Sequence, residues 1–202
     1  MQEKTRFYQP QPTNPYPQPA IESLNESRTN NGINTFYESY EKRLLEIFYD
    51  PQSMNQNSLY SDIIFNKIEA KFVAVDFKSK YFIHSLVKVG CRVCLDVNNR
   101  IDRNRIRNYC SLLSIFINNN LEFQMEALLA IQAFEQQFKN LLESDFILVL
   151  FSYLYYMKII SEQVFIKWKT ECSNTLTINT LRLLKLFFES LSQSVSEPKL
   201  AI

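Results

Sequence analysis

The sequence predicts an all-α fold, a HEAT-like stack of antiparallel helical hairpins that follows a disordered N-terminal tail. From about residue 34 onward, apolar residues recur at steps of three and four, the spacing that places them on one face of a helix. Only two glycines occur, Gly32 and Gly90. Because tight β-hairpins and phosphate-binding loops favour glycine, this composition argues against an all-β fold and against a nucleotide-binding enzyme.

The N-terminal tail, residues 1–33, differs from the rest of the chain in composition. Five of the seven prolines lie there among glutamine, asparagine, serine and threonine, so the segment has little apolar surface to bury. Burial cannot then offset the entropy lost on ordering, and we expect the tail to be disordered. It is either a solvated leader or a ligand for a proline-binding module. The helical domain is predicted at 34–196, with a short C-terminal tail at 197–202.

Eight helices are predicted, near 35–49, 59–73, 80–96, 103–117, 121–139, 145–157, 162–171 and 178–193. Pro51 closes the first helix, because the residue before a proline is disfavoured in helical geometry. Six later helices each follow a residue whose side-chain oxygen can cap the first turn: Ser58, Ser79, Asp102, Asn120, Ser144 and Ser161. The connections are short, so successive helices are expected to pack antiparallel.

The spacing of apolar residues predicts which helical faces are buried. The first two helices carry such faces at Phe36, Tyr40, Leu44, Ile47 and Phe48 and at Leu59, Ile63, Ile64, Ile68 and Phe72. The helix near 121–139 should turn one set of residues inward and its acids outward: Phe123, Leu128, Ala130, Ile131 and Phe134 against Glu122, Glu126 and Glu135. The helix near 145–157 is apolar nearly all round, which predicts a central position, covered on both sides.

Length and charge exclude several classes of protein. The longest apolar run, 146–157, has about a dozen residues, whereas a membrane span needs about 20. The chain of 202 residues carries a net charge of +1, so no overall field attracts it to nucleic acid or to an anionic membrane. No secretory signal is visible, which predicts a cytoplasmic protein whose four cysteines are reduced.

The residues that carry catalysis or bind metals are sparse. The single histidine, His84, lies mid-helix without a carboxylate near it in sequence and is interpreted as structural. Cys91 and Cys94 share a helix face, but a zinc site needs two further ligands, usually a second close pair, and Cys110 and Cys172 are isolated. Buried free thiols are therefore expected. We predict no catalytic residue, no metal, no cofactor and no small-molecule substrate.

The most prominent cluster of like charges in the sequence consists of four arginines, Arg100, Arg103, Arg105 and Arg107. Residues four apart share a helix face, so Arg103 and Arg107 lie together, with Arg100 just before the helix. The patch is a solvated face, a docking surface for an acidic protein segment, or a grip on RNA phosphates. RNA is not favoured, because no aromatic residues alternate with these arginines in the sequence.

Two segments contain possible recognition motifs. Tyr81, Leu86 and Val87 match the Tyr-x4-Leu-apolar pattern that binds the cap-binding translation factor. The match lies inside a helix whose apolar residues are needed for the hydrophobic core, so it is interpreted as chance. The segment 161–168 begins with a capping serine and places Phe165 and Trp168 on one side of a helix. Trp168, the single tryptophan, is a core residue, a groove residue or both.

The stretches 82–89, 128–134, 154–155 and 159–168, followed by Phe187, Phe188 and Leu191, resemble the C-terminal HEAT domain of eukaryotic translation initiation factor 4 gamma. That domain type is shared with initiation factor 5 and with the epsilon subunit of factor 2B. The resemblance covers over half of the chain and implies a non-enzymatic adaptor in translation initiation. In factor 4 gamma the domain recruits a kinase, whereas in the other two factors acidic and aromatic boxes hold lysine-rich segments of the beta subunit of factor 2.

This chain departs from the family at those boxes. Tyr156, Met157 and Lys158 stand where acids are usual, Ser190 replaces a second tryptophan, and a serine-rich run, 192–196, replaces the acidic C-terminus. A groove that exchanges carboxylates for a lysine repels lysine-rich ligands, so weak or no binding to them is expected. The predicted partners are translation initiation factors or an associated kinase, and the predicted partner-binding residues are Lys158, Glu162, Phe165, Lys167, Trp168, Arg100, Arg103 and Arg107. The alternative is a helical scaffold in another RNA–protein assembly that uses the arginine patch.

Overall fold

The computed structural model describes residues 33–50, 60–96, 98–138, 142, 145–172, 182 and 184–189. Their helices are α1 (Ile33–Phe48), α2 (Tyr60–Lys71), a 3₁₀ helix (Asp76–Lys78), α3 (Lys80–Val93), α4 (Arg103–Ile117), α5 (Leu121–Phe138), α6 (Phe146–Tyr156) and α7 (Glu162–Cys172). Residues 184–189 are helical as well. These ranges contain no β-strand, only an isolated bridge between Leu95 and Ile101, so the predicted all-α fold is confirmed. Of the tails predicted at 1–33 and 197–202, Ile33 is the first residue of α1, and the other residues lie outside the described part of the chain.

The helices stack in two layers. In one layer α1 packs beside α3, α3 beside α5, and α5 beside α7, while in the other α2 packs beside α4 and α4 beside α6. Contacts of α1 with α2, and of α4 with both α3 and α5, join the layers. Helix α3 is the centre of the stack, since it packs against α1, α4, α5 and the 3₁₀ helix.

Two clusters of aromatic rings lie in the core. In the first, the fully buried ring of Phe82 on α3 contacts four rings, with centroids 5.2–5.8 Å away, from Tyr40, Phe72, Phe77 and Phe116. In the second, Phe151 on α6 contacts the rings of Phe165, Trp168 and Phe187. Edge-to-face ring pairs add stabilisation beyond the burial of area, so each cluster fixes several helices to one another.

Two of the predicted helix caps are confirmed. The side chain of Asp102 accepts hydrogen bonds from the backbone N–H groups of Asn104 and Arg105, and Asn120 Oδ1 accepts from Glu122 and Phe123. Ser79 precedes α3 without a side-chain cap bond, and in the described part of the chain the buried Ser161 Oγ has no hydrogen-bond partner, so these two capping predictions are wrong. The backbone N–H of Ser161 instead donates to Gln124 Oε1 on α5, which ties the start of α7 to that helix. Ser58 and Ser144 lie outside the described residues.

Two predictions about exposure need correction. On α5, Glu126 does not face solvent: its side chain is 17 % exposed and shares a 2.6 Å hydrogen bond with His84 of α3. The prediction failed because α5 packs on both α3 and α7, so it offers the core two faces. Helix α6 is not covered on both sides along its whole length, since its last residue, Tyr156, is 73 % exposed.

No helix among the described residues is both long and apolar enough to cross a membrane.

Candidate docking groove

An open groove of about 360 Å³ lies between α4 and the end of α6. Its lining consists of Arg107, Ser152, Tyr153, Tyr156 and Met157. Tyr156 and Met157 are 73 % and 39 % exposed, and both are large side chains that usually bury most of their surface. The groove therefore combines an exposed guanidinium group with aromatic and thioether walls.

Helix α4 supplies the positive charge of the groove through Arg107. The arginines of this helix differ in whether they point toward the protein or toward solvent. Arg105 turns toward the protein: its Nε lies 3.2 Å from Asp102 Oδ2, and its Nη1 donates to the carbonyls of Val93 and Leu95 at the end of α3. Arg103 and Arg107 lie one turn apart and are both exposed. The predicted arginine cluster thus divides into one structural arginine, Arg105, and three that are exposed to solvent, Arg100, Arg103 and Arg107.

A left-handed turn ends α6 beside the groove. Lys158 has φ of 56°, and its N–H donates to the carbonyl of Tyr155, while the N–H of Ile159 donates to the carbonyl of Leu154. This pair of bonds is the Schellman motif, which satisfies the last carbonyls of a helix. Leu154 and Ile159 are both buried, as the motif requires, and Lys158 is left exposed directly after Met157.

The two aromatic residues predicted from the 161–168 segment lie in the core. Phe165 is fully buried and Trp168 is 1 % exposed. Trp168 packs edge-to-face on Phe151 of α6, with ring centroids 5.3 Å apart, and Phe165 contacts Tyr155 of the same helix. They support the helix that carries Tyr153 and Tyr156 rather than lining the groove themselves.

The other predicted binding residues are spread over the surface. Lys167 is exposed on α7 and lies 3.8 Å from Glu171 in a pair of i,i+4 spacing. Glu162 is half-buried in the first turn of α7. Arg100 is exposed in the loop before α4, where its backbone N–H donates to Asp96 Oδ1. Of the predicted residues, the structure places Arg107 in the groove and Lys158 beside a groove residue.

The candidates for chemistry have packing roles. His84 Nδ1 pairs with Glu126, and its ring contacts that of Tyr37, with centroids 5.1 Å apart. Cys91 and Cys94 are free and fully buried, and burial raises the pKa of both thiols, so the thiolate is disfavoured at neutral pH. The expectation of buried free thiols is confirmed for both. No group of three His, Cys, Asp or Glu side chains that could hold a metal ion occurs in the described part of the chain.

The Tyr-x4-Leu-apolar match is part of the core. Leu86 and Val87 of α3 are fully buried, and Tyr81 packs edge-to-face on Tyr37 with ring centroids 5.1 Å apart. A partner would have to unfold α3 to reach the two aliphatic residues. The interpretation of this match as chance agrees with their position.

Sequence reasoning missed the tyrosines of the groove. Tyr153 and Tyr156 are three residues apart and so share a face of α6, but this helix was expected to be covered on both sides by its neighbours. One feature of the sequence could have indicated that these tyrosines are exposed: in Tyr156-Met157-Lys158, a lysine comes directly after the end of an apolar helix. Their approach to Arg107 depends on the packing of α4 beside α6, which local sequence does not encode.

Comparisons of the chain with models of protein families, with curated proteins and with solved structures give no match. The resemblance to the C-terminal domain of initiation factor 4 gamma therefore stays a prediction from the sequence.

Proposed function

We propose that this chain is a non-enzymatic adaptor that binds a protein partner in the groove between α4 and α6. The supporting observation is the grouping of Arg107, Tyr153, Tyr156 and Met157 around one open groove. Tyrosine, methionine and arginine are the residue types enriched at protein–protein interfaces, because they give large contact area together with hydrogen bonding. Lysine, which is depleted at interfaces, is not among the lining residues, and Lys158 directly follows Met157 in the chain.

The adaptor role, rather than catalysis, fits the state of the reactive side chains. His84 is engaged by Glu126, and the thiols of Cys91 and Cys94 are buried with raised pKa values. A general base or a nucleophile must reach its substrate, and a buried thiol or a histidine held in a pair between two helices is poorly placed to do so.

Translation initiation in the cytoplasm is the proposed setting, and it rests on the sequence resemblance alone. Under this proposal the partner is an initiation factor or an associated kinase. The helical stack supplies a rigid frame, and two groove residues, Tyr156 and Met157, lie between the stretches 154–155 and 159–168 that carry part of the resemblance. Binding sites on rigid elements hold their side chains in place before the partner arrives, which reduces the entropy cost of association.

A scaffold role in an RNA–protein assembly is the second candidate. The sequence argued against RNA because no aromatic residue alternates with the arginines. The groove brings Tyr153 and Tyr156 beside Arg107, and bases stack on such rings while a guanidinium binds phosphate. This observation keeps the alternative open to test.

The experiment is an affinity purification of the full chain from cell lysate, followed by quantitative mass spectrometry. The double variant Arg107→Glu, Tyr156→Ala removes the groove chemistry, and Lys42→Glu on α1 is a charge-matched control at an exposed position. Initiation factors that are enriched with the wild type and with Lys42→Glu, but lost with the double variant, are the expected result. Retention of the same partners by the double variant contradicts the docking site, and groove-dependent recovery that is abolished by ribonuclease favours the second candidate.

A further inference from the structure

We infer that the groove accepts an acidic segment of the partner protein, anchored by one large apolar side chain. The inference rests on the proposed function and names the chemistry of the partner that this function requires. This charge preference is opposite to that of the related domains of initiation factor 5 and of the epsilon subunit of factor 2B, which hold lysine-rich segments.

The charges around the groove support the first part of the inference, that the bound segment is acidic. Arg107 lines it, Arg103 lies one turn away on the same face of α4, and Lys158 follows the lining residue Met157. All three side chains are exposed, and none has a carboxylate within ion-pair distance among the described residues. The acid nearest to the two arginines in sequence, Asp102, is already engaged by Arg105 and by two backbone N–H groups. The acid nearest to Lys158 in sequence is Glu162, which is half-buried in the first turn of α7 and forms no ion pair with Lys158. An acidic segment supplies the carboxylates that these cations lack, and a guanidinium can bind one of them through two parallel hydrogen bonds.

The walls of the groove support the second part of the inference, that one large apolar side chain anchors the segment. Tyr153, Tyr156 and Met157 provide apolar surface that no described neighbour covers fully. Methionine is flexible and polarisable, so it adapts to anchors of different shape, and aromatic walls suit an aliphatic or aromatic side chain. At about 360 Å³ the groove is at the small end of the range for ligand clefts, which suits one anchoring side chain with its backbone.

The size and charge of the site favour an acidic protein segment over RNA. Proteins that bind single-stranded nucleic acid follow the backbone with a basic groove and stack several successive bases, over roughly 4–16 nucleotides for each domain. The groove offers one lining arginine, with Arg103 and Lys158 beyond it, and the whole chain has a net charge of only +1. This arrangement fits a short acidic segment better than an extended polyanion.

The test measures fluorescence anisotropy of labelled probes that are titrated with the full chain. The first probe is a synthetic peptide of about nine residues, with a central tryptophan between runs of glutamate. In the second probe alanine replaces the tryptophan, in the third lysines replace the glutamates, and the fourth is an oligouridine of about ten nucleotides. The protein variants are Arg107→Glu with Lys158→Glu, Met157→Ala, and Lys42→Glu as the control.

The first probe is expected to bind saturably, and more weakly as salt rises. Its affinity should fall at least about tenfold with the double charge variant and several-fold with Met157→Ala or with the alanine probe, but stay unchanged with Lys42→Glu. The lysine probe and the oligouridine should bind at least about tenfold more weakly than the first probe. The inference is overturned if the first probe shows no saturable binding at millimolar protein, if the double variant binds it as well as wild type, or if either competing probe binds as tightly.

The two proposals fail in different ways. If the affinity purification recovers groove-dependent partners that an excess of the first peptide does not displace, the acidic segment is excluded while the docking groove stands. If the peptide binds the groove but no partner depends on it, the adaptor function fails while the chemistry of the groove is confirmed.

Discussion

At the scale of single residues, Gly90 is a position where a side chain of α4 lies directly against the backbone of α3. A Cβ atom at this position would overlap the ring of Tyr109, so glycine is required for α3 and α4 to pack at their observed separation. The sequence shows that Gly90 lies within a helix, where glycine is unfavourable, but it does not show why. The reason is a ring from another helix, which local sequence cannot reveal.

Gly90→Ala is expected to lower the free energy of unfolding by roughly 1–3 kcal/mol, although alanine is the better helix former, because overpacking displaces Tyr109. Urea denaturation measures the change. The double variant Gly90→Ala, Tyr109→Val should lose less stability than the sum of the two single changes, since the clash is then absent. A Gly90→Ala protein that is as stable as wild type would refute the close contact.

The hydroxyl of Tyr109 gives a second prediction. It is buried without a hydrogen-bond partner among the described residues, whereas the hydroxyl of Tyr40 donates to Asp76 Oδ1 at 2.7 Å. Tyr109→Phe should therefore leave stability unchanged or raise it, while Tyr40→Phe should cost about 1 kcal/mol or more. Thermal or urea unfolding of the two variants compares them directly, and the opposite order of stability would show that the assigned hydrogen bonds are wrong.

At the scale of elements, the sequence predicts each of the helices α1 to α7 to within a few residues but misses the 3₁₀ helix, because apolar periodicity and caps such as Asp102 and Asn120 are local signals of α-helices. It fails where the environment is supplied by a distant helix. Glu126 was expected in solvent and pairs with His84, and Ser161 was expected to cap α7 but leaves its hydroxyl unpartnered. The groove was missed for the same reason, since α4 and α6 meet only after the chain has folded.

The end of α6 yields a prediction at this scale. Lys158 adopts a left-handed conformation that glycine takes without strain, so Lys158→Gly should raise the free energy of unfolding by about 0.5–1 kcal/mol. Asn119→Gly is the matched control: Asn119 has a similar φ of 62°, but asparagine tolerates it, so little change is expected. The Lys158→Gly variant should therefore be more stable than the wild type. It should also bind the acidic peptide more weakly, because the substitution removes a cation. Loss of stability would contradict the Schellman end of the helix.

At the scale of the whole molecule, the core holds buried free thiols close to Tyr109, the residue of α4 that meets Gly90 of α3. Burial raises the pKa of Cys91, Cys94 and Cys110, to about 12 for Cys110. An unfolded thiol ionises near pH 8.5, so above that pH the folded state holds protons that the unfolded state releases. The core is thus stable with protonated thiols and weakens in alkali.

The free energy of unfolding should accordingly be level at neutral pH and fall above about pH 8.5, by about 1 kcal/mol per pH unit for each buried thiol. Urea denaturation at a series of pH values measures the slope. Cys110→Ala should reduce the slope, whereas Cys172→Ala should change it little, because Cys172 is only half-buried. If the free energy of unfolding stayed constant between about pH 8.5 and 10.5, roughly the range in which unfolded thiols titrate, the claim that the core buries reduced thiols would be contradicted.

The central claim is that partners bind in the groove between α4 and α6. Site-specific photo-crosslinking in cells tests it most directly, with benzoylphenylalanine in place of Tyr156, which is 73 % exposed at the groove, or of Lys42, which is exposed on α1. We predict a discrete crosslinked partner from position 156, lost when Arg107→Glu is added, and none from position 42. Crosslinks of equal yield from both positions, or from position 42 alone, would contradict the claim.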